Sequence, residues 1–200
     1  MIERLFACIA LAIISPFFIL IILCVILVDG RPVFFKQERL GKFGETFVIL
    51  KFRTMSSTSN NQLETSNILI SGADKRITRL GMFLRKTSLD ELPQLINIVQ
   101  GKMSFVGPRP ILPDQLKAIG MASRHNRFIV KPGITGLAQI RGRRGLNWLK
   151  QLQYDSFYAN HKSSAFDLQI ILNTLVVLFS TKGVYGSVED NWRNYINKKK

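Results

Sequence analysis

The chain has 200 residues, with 28 Lys and Arg against 13 Asp and Glu for a formal net charge of +15, yet 46% of it is apolar and only 20% charged. That length suits one modest domain with an appendage, and the apolar content excludes a disordered basic tail. Cys8 and Cys24 alone exclude a disulfide scaffold and a cysteine-rich zinc module, and His125 and His161 leave little for a histidine metal site.

Charge is unevenly placed. Residues 1–30 hold one basic and two acidic side chains, which leaves 27 basic and 11 acidic, a net of +16, for residues 31–200. A basic body behind an apolar head points to an anionic partner, the phosphates of lipid, nucleotide or nucleic acid. The bland alternative is that these charges only keep a tethered domain soluble.

Residues 5–28 are 24 positions without a charge. As a straight helix they would extend about 36 Å, enough to cross a hydrocarbon core of roughly 30 Å. The run is too long for a cleaved signal peptide, and Val28-Asp29-Gly30-Arg31-Pro32 is no small-residue cleavage site. Taken alone it reads as a spanning helix. Ser15-Pro16 near its middle adds a second reading. Pro16 deprives the Ala12 carbonyl of its donor and bends the helix, and the Ser15 hydroxyl can serve a freed carbonyl in the preceding turn. Residues 5–15 and 16–28 then make two arms, each too short to span, which suit a segment that enters and leaves by one face. In both readings the positive body belongs on the cytoplasmic side.

Residues 33–36 and 46–52 are β-branched or aromatic runs around a segment with two glycines, the pattern of a β-hairpin. Residues 56–66 are rich in Ser, Thr and Asn and read as a loop. Ile77, Leu80, Phe83 and Leu84 recur at helical spacing, so residues 74–86 are expected to be helical. A second helix is expected over 92–100, ending at Gly101, with others over 118–128 and 148–158. Residues 166–180 are apolar but punctuated by Asp167, Gln169 and Asn173, which suits an amphipathic helix on a membrane or on the core. The class is α+β, mostly helical.

The most informative stretch is Arg85-Lys86-Thr87-Ser88-Leu89-Asp90-Glu91-Leu92-Pro93. Pro93 belongs in a first helical turn, so Asp90 and Glu91 are expected at a helix N-terminus. Ser88-x-x-Glu91 also has the form of a capping box, the bland reading of the same residues. Against it stands the apolar setting of Leu89, Leu92 and Leu95. Two carboxylates buried together need a cation, for which Mg²⁺ is the hard, oxygen-seeking choice; one could bind it while the other acts as a nucleophile. Arg109, between prolines in Gly107-Pro108-Arg109-Pro110, sits on a rigid extended backbone suited to phosphate binding, or is a plain surface turn residue. Residues 131–145 form a Gly-rich basic loop, containing Gln139, able to cradle an anion. The histidines read as surface residues, and nothing beyond charge signals RNA or DNA binding.

Together these residues resemble one family, the bacterial sugar transferases that act as monotopic polyprenyl-phosphate sugar-1-phosphate transferases. The resemblance is carried by Ser15-Pro16, Pro32-Val33-Phe34-Phe35-Lys36-Gln37-Glu38-Arg39-Leu40-Gly41, Lys51-Phe52-Arg53-Thr54-Met55 and Arg76-Ile77-Thr78-Arg79-Leu80-Gly81. It continues through Ser88-Leu89-Asp90-Glu91-Leu92-Pro93-Gln94-Leu95-Ile96-Asn97, Gly107-Pro108-Arg109-Pro110 and Lys131-Pro132-Gly133-Ile134-Thr135-Gly136. It implies a re-entrant membrane helix over residues 1–30, broken at Ser15 and Pro16. A small cytoplasmic catalytic domain over 31–200 follows, with the hairpin and amphipathic interfacial helices, at the bacterial inner membrane. It implies transfer of a sugar 1-phosphate from a nucleotide-diphosphate sugar, a UDP-sugar, to polyprenyl (undecaprenyl) phosphate, releasing UMP. Asp90 would be the nucleophile and Glu91 the Mg²⁺ ligand, with Arg85, Arg109, Lys51, Arg53 and Gln139 holding substrate or phosphate. Membrane lipids are implied partners and nucleic acid is not; the sugar, the glycan pathway and the oligomeric state are left open.

The chain departs from the family pattern at Lys102, where an Asp is usual, at Leu137, where Trp is frequent, and at Arg141-Gly142-Arg143 in place of Asn-Gly-Arg. The competing reading is a non-catalytic, membrane-tethered protein that binds anionic lipid or nucleic acid. It accounts for charge and anchor but not for the setting of Asp90 and Glu91.

Overall fold

The computed structural model describes residues 2–56, 76–118, 125–142 and 145–178. In chain order the elements are α1 (Ile2–Asp29), β1 (Phe34–Leu40), β2 (Thr46–Phe52), α2 (Arg79–Lys86), α3 (Gln94–Val99), β3 (Ser104–Val106), α4 (Pro113–Ala118), β4 (Gly133–Thr135), α5 (Leu137–Gly142), α6 (Trp148–His161) and α7 (Ser164–Leu178). Short 3-10 turns occupy Lys42–Gly44, Leu89–Glu91 and Asn126–Phe128. The chain divides into two compact units, residues 1–37 with 48–101 and residues 38–47 with 102–200.

The first unit is built on α1. This helix is long and apolar enough, by length and composition, to cross a membrane. It continues through Pro16, so the expected break does not end it. The Ser15 hydroxyl donates to the Ala12 carbonyl at 2.8 Å, the carbonyl that Pro16 leaves without a backbone donor. Ile21 and Val25 of α1 form a core with Phe52 and Leu84, joined by Phe18, Phe34, Leu89 and Leu92. The rings of Phe18 and Phe34 lie 5.0 and 5.6 Å from that of Phe52. Much of the remaining α1 surface is exposed Leu, Ile and Phe, among them Leu5, Ile13, Leu20 and Leu27.

The hairpin is present, with β1 and β2 paired as a two-stranded sheet. The helix expected over 74–86 starts later, at Arg79, because the Thr78 hydroxyl caps it by accepting from Gly81 N at 2.9 Å. Ile77, expected within that helix, instead bridges to Met55. A side chain at Gly81 would overlap the Thr54 carbonyl, so α2 lies directly on the chain after β2. The helix expected over 92–100 is the shorter α3, since Leu92 and Pro93 form a turn ahead of it.

The second unit holds a parallel pair, β3 and β4, in the register Ser104 to Gly133 and Val106 to Thr135. Val106, Leu137, Tyr158 and Ile170 form one core cluster, and Leu40, Ile111, Phe128, Trp148 and Leu152 another. The Tyr158 hydroxyl is 2.6 Å from Asp167 Oδ1, tying α6 to the start of α7. The expected helix over 148–158 extends to His161, and that over 166–180 is α7, its last two positions lying outside the described residues. One side of α7 is buried at Ile170, while Leu168, Leu172, Leu175 and Val176 are exposed. Of the helix expected over 118–128, residues 119–124 lie outside the described part and 126–128 form a 3-10 turn. The loop expected over 56–66 also lies outside it, apart from Ser56.

Candidate active site

Asp90 and Glu91 stand on the 3-10 turn Leu89–Glu91, between α2 and α3, rather than in the first turn of an α-helix. Ser88 opens that turn in the left-handed region, φ 60°, and its side chain makes no capping hydrogen bond. The capping box is therefore not formed. A continuing α-helix would bring residue 91 back to the Ser88 side chain, and the left-handed backbone at Ser88 sends the chain elsewhere. A non-glycine residue in this region carries local strain, which the packing of Leu89 and Leu92 on the cluster of Ile21, Val25, Phe52 and Leu84 offsets.

The carboxylate of Glu91 is taken by Lys51 of β2, whose Nζ donates to Oε1 at 2.6 Å with both side chains largely buried. Asp90 is 7% exposed. What sets the two partners opposite each other is Asn97 of α3, 1% exposed. Its Oδ1 accepts from Leu50 N at 3.0 Å and its Nδ2 donates to Val48 O at 2.8 Å. The side chain thus acts as one more rung along β2 and locks α3 to the strand that carries Lys51. Asn97 is a residue that sequence reasoning missed, although a polar side chain within Leu95-Ile96-Asn97-Ile98-Val99 was the available signal.

Arg85, in the last turn of α2, donates from Nε to Thr54 Oγ1 at 2.8 Å. Arg53 is buried and serves the fold. Its guanidinium donates to the carbonyls of Asp29, Gly30 and Arg31, closing the C-terminus of α1, where carbonyls lack helical partners and a cation is favoured.

Arg109 and Gln139 belong to the second unit. The loop carrying Arg109 is pinned beside β4: Gly107 N donates to Thr135 O at 2.9 Å and Gly133 N to Pro108 O at 3.0 Å. A Cβ at Gly133 would overlap the Gly107 nitrogen, so only glycine allows this approach. The Arg109 carbonyl accepts from Arg127 Nη2 at 2.6 Å. Arg127 lies 3.2 Å from Asp155 Oδ2, with side chains 2% and 1% exposed. Burial pushes the Asp155 carboxyl up to about 6 against the opposing pull of Arg127, and burial lowers Arg127 against the pull of Asp155. His125, expected at the surface, is half-buried: its Nδ1 accepts from Arg127 N at 3.3 Å, and burial together with the Arg127 charge lowers its pKa. The side-chain amide atoms of Gln139 are shielded from solvent and have no hydrogen-bond partner among the described residues. Leu137, where the family often has Trp, is a core residue; Lys102 and Arg141 are exposed, and Arg143 lies outside the described residues.

Asp90 and Glu91 supply hard carboxylate oxygens of the kind Mg²⁺ takes together with phosphate and water oxygens. Asp90 and Glu91 would offer one or two ligands, the usual number for Mg²⁺ in phosphate-transfer sites. The donor set fits the ion, with the Lys51 ammonium already occupying part of the Glu91 carboxylate.

Residues 1–181 match the family model described as bacterial sugar transferase. The protein named uncharacterized sugar transferase EpsL of Bacillus subtilis (strain 168) is 41% identical over 155 residues, 78% of this chain and 74% of that one. The exopolysaccharide production protein ExoY of Sinorhizobium fredii is 37% identical over 197 residues, 92% of this chain and 86% of that one. The UDP-glucose:undecaprenyl-phosphate glucose-1-phosphate transferase of Escherichia coli (strain K12) is 40% identical over 189 residues, which cover 90% of this chain but 39% of that longer protein.

Proposed function

The chain belongs to the bacterial sugar transferase family, and on that premise we propose that it moves a sugar 1-phosphate from a UDP-sugar to undecaprenyl phosphate and releases UMP. This would be the first membrane step in assembling a glycoconjugate. The observation that carries the reading is the Asp90-Glu91 pair on its strained turn, with Lys51 on Glu91 and Leu89 packed on the cluster of Ile21, Val25, Phe52 and Leu84.

In the proposed reaction an Asp90 carboxylate oxygen attacks the sugar-bearing phosphorus. The bond from that phosphorus to the bridging oxygen breaks, and its electron pair leaves with UMP. The product is an aspartyl phosphosugar. An oxygen of undecaprenyl phosphate then attacks the same phosphorus and Asp90 departs as carboxylate, leaving a lipid diphosphate sugar. Dividing the transfer in two lets the soluble product leave before the lipid acceptor reacts. Both nucleophiles and both leaving groups are anionic, so attack meets charge repulsion, which fixed cations offset. Arg85 and Arg109 are assigned to phosphate oxygens. Lys51 pairs with Glu91 and orients it. Mg²⁺, when bound, neutralises phosphate charge, and Glu91 is the residue assigned to hold it. Arg53, committed to α1, is left out of substrate binding.

The anchor is proposed to be re-entrant, with the remainder of the chain on the cytoplasmic face of the inner membrane. In support, α1 touches its own unit near its start and again in its second half. Arg4 lies against Gly101, Ala7 is fully buried, and Ile21 and Val25 lie in the core. A helix crossing the bilayer would leave that unit behind. An engineered N-terminal cysteine should stay unlabelled by an impermeant reagent on intact cells; labelling there would favour a spanning helix.

The activity is tested with purified protein in nanodiscs, undecaprenyl phosphate and a panel of UDP-sugars. UMP release that requires acceptor for continued turnover, stops with EDTA and returns with Mg²⁺ is expected. No release from any donor would refute the proposal.

A further inference from the structure

We infer that Arg127 is a positioning residue which, held by Asp155, sets the Arg109 loop for its phosphate contact; the inference rests on the function proposed above. Pro108 and Pro110 have no N–H, so the loop has few donors of its own and is fixed through its carbonyls. Three consecutive carbonyls each accept from a different part of the second unit. Pro108 O accepts from Gly133 N at 3.0 Å, Arg109 O from Arg127 Nη2 at 2.6 Å and Pro110 O from Arg39 Nη1 at 3.4 Å. The middle bond is charge-assisted and short, and it falls on the residue whose side chain is assigned to phosphate.

Stability is a weak reason to bury Arg127 and Asp155. Desolvating two charges costs several kcal/mol per ion, and apolar replacements of such pairs are often neutral or stabilising. A guanidinium can do what an apolar pair cannot: bond a backbone carbonyl while staying paired with a carboxylate. Asp155 holds it from α6, and the Arg127 main chain is fixed in turn by His125.

The test is a kinetic cycle on the full chain in nanodiscs, with the UDP-sugar that the wild type turns over and undecaprenyl phosphate. The members are wild type, Arg109→Ala, the apolar pair Arg127→Met with Asp155→Leu, and the triple variant. The apolar pair should unfold cooperatively near the wild-type temperature yet lose kcat/KM by about tenfold or more, as expected of a displaced binding group. In the Arg109→Ala background it should cost nothing further, because coupled residues are non-additive. Arg127→Lys keeps the charge but lacks the fork, and should follow the same pattern if the apolar pair fails to fold. Undiminished activity in the paired variant, or losses that multiply in the triple variant, would overturn the inference alone. A wild type inactive with every donor would overturn it together with the function beneath it.

Discussion

The Nζ of Lys51 lies 2.6 Å from Oε1 of Glu91, joining the second strand of the hairpin to the turn that carries both carboxylates of the candidate site. This pair decides how the dyad is used. The pair draws Glu91 toward β2, and in the proposed reaction the neighbouring Asp90 is the nucleophile. Lys51→Met should therefore lower UMP release sharply while costing about 1–3 kcal/mol of stability, the scale of a hydrogen bond to a charged group. Lys51→Arg should recover part of the activity. Turnover in Lys51→Met equal to wild type would separate this pair from the chemistry.

Ser88 provides a test of the turn itself. A working N-cap loses about 1 kcal/mol when replaced by Ala, but the Ser88 hydroxyl makes no cap. Ser88→Ala should shift the unfolding temperature little. Ser88→Gly, which adopts φ 60° without the Cβ penalty, should be neutral or stabilising. A clear loss of stability in Ser88→Ala would restore the capping box.

Asn97→Leu keeps size but removes both bonds to β2. Leu50 N and Val48 O would lose their partners, at about 2–3 kcal/mol in total. Thermal unfolding in detergent should show that loss, and UMP release should fall with it because Lys51 and Glu91 are no longer held in register. A variant as stable as wild type would show that the two bonds add nothing.

Asp155 gives a pH dependence with a defined sign. Its carboxyl rises from 3.8 to about 6 in the folded protein, so between these values the folded state binds more protons than the unfolded one. Stability from this group is therefore greatest below about 4 and is lost as pH rises toward 6, with a span of about 3 kcal/mol. His125, lowered from 6.5, acts oppositely: its contribution is present above 6.5 and lost as pH falls through its folded value. Asp155→Asn removes only the first effect. The stability advantage of wild type over Asp155→Asn should shrink as pH rises from 4 to 6; an advantage that stays constant or grows would contradict the burial assigned to Asp155.

The hairpin, α6 and α7 were legible because each announces itself locally, by β-branched runs or by apolar spacing over several turns. Asp90 and Glu91 stood out as charges among leucines. What stayed hidden depends on partners distant in sequence. Asn97 bonds to residues 47 and 49 positions away. Arg53, read from its motif as a phosphate ligand, meets the carbonyls of a helix end 22 to 24 residues upstream. Arg127 and Asp155 are ordinary charges until the fold buries them together. The capping box failed for a different reason. Its spacing is correct, but the left-handed backbone at Ser88 and the turn at Leu92 and Pro93 keep an α-helix from forming there.

The most direct measurement is intact and peptide mass spectrometry of protein incubated with the UDP-sugar donor and Mg²⁺ but no lipid acceptor. A sugar-phosphate adduct is expected on the peptide containing Asp90. It should disappear when undecaprenyl phosphate is added and be absent from Asp90→Asn, which should still fold. An adduct mapped to another residue, or full turnover in Asp90→Asn, would contradict the account.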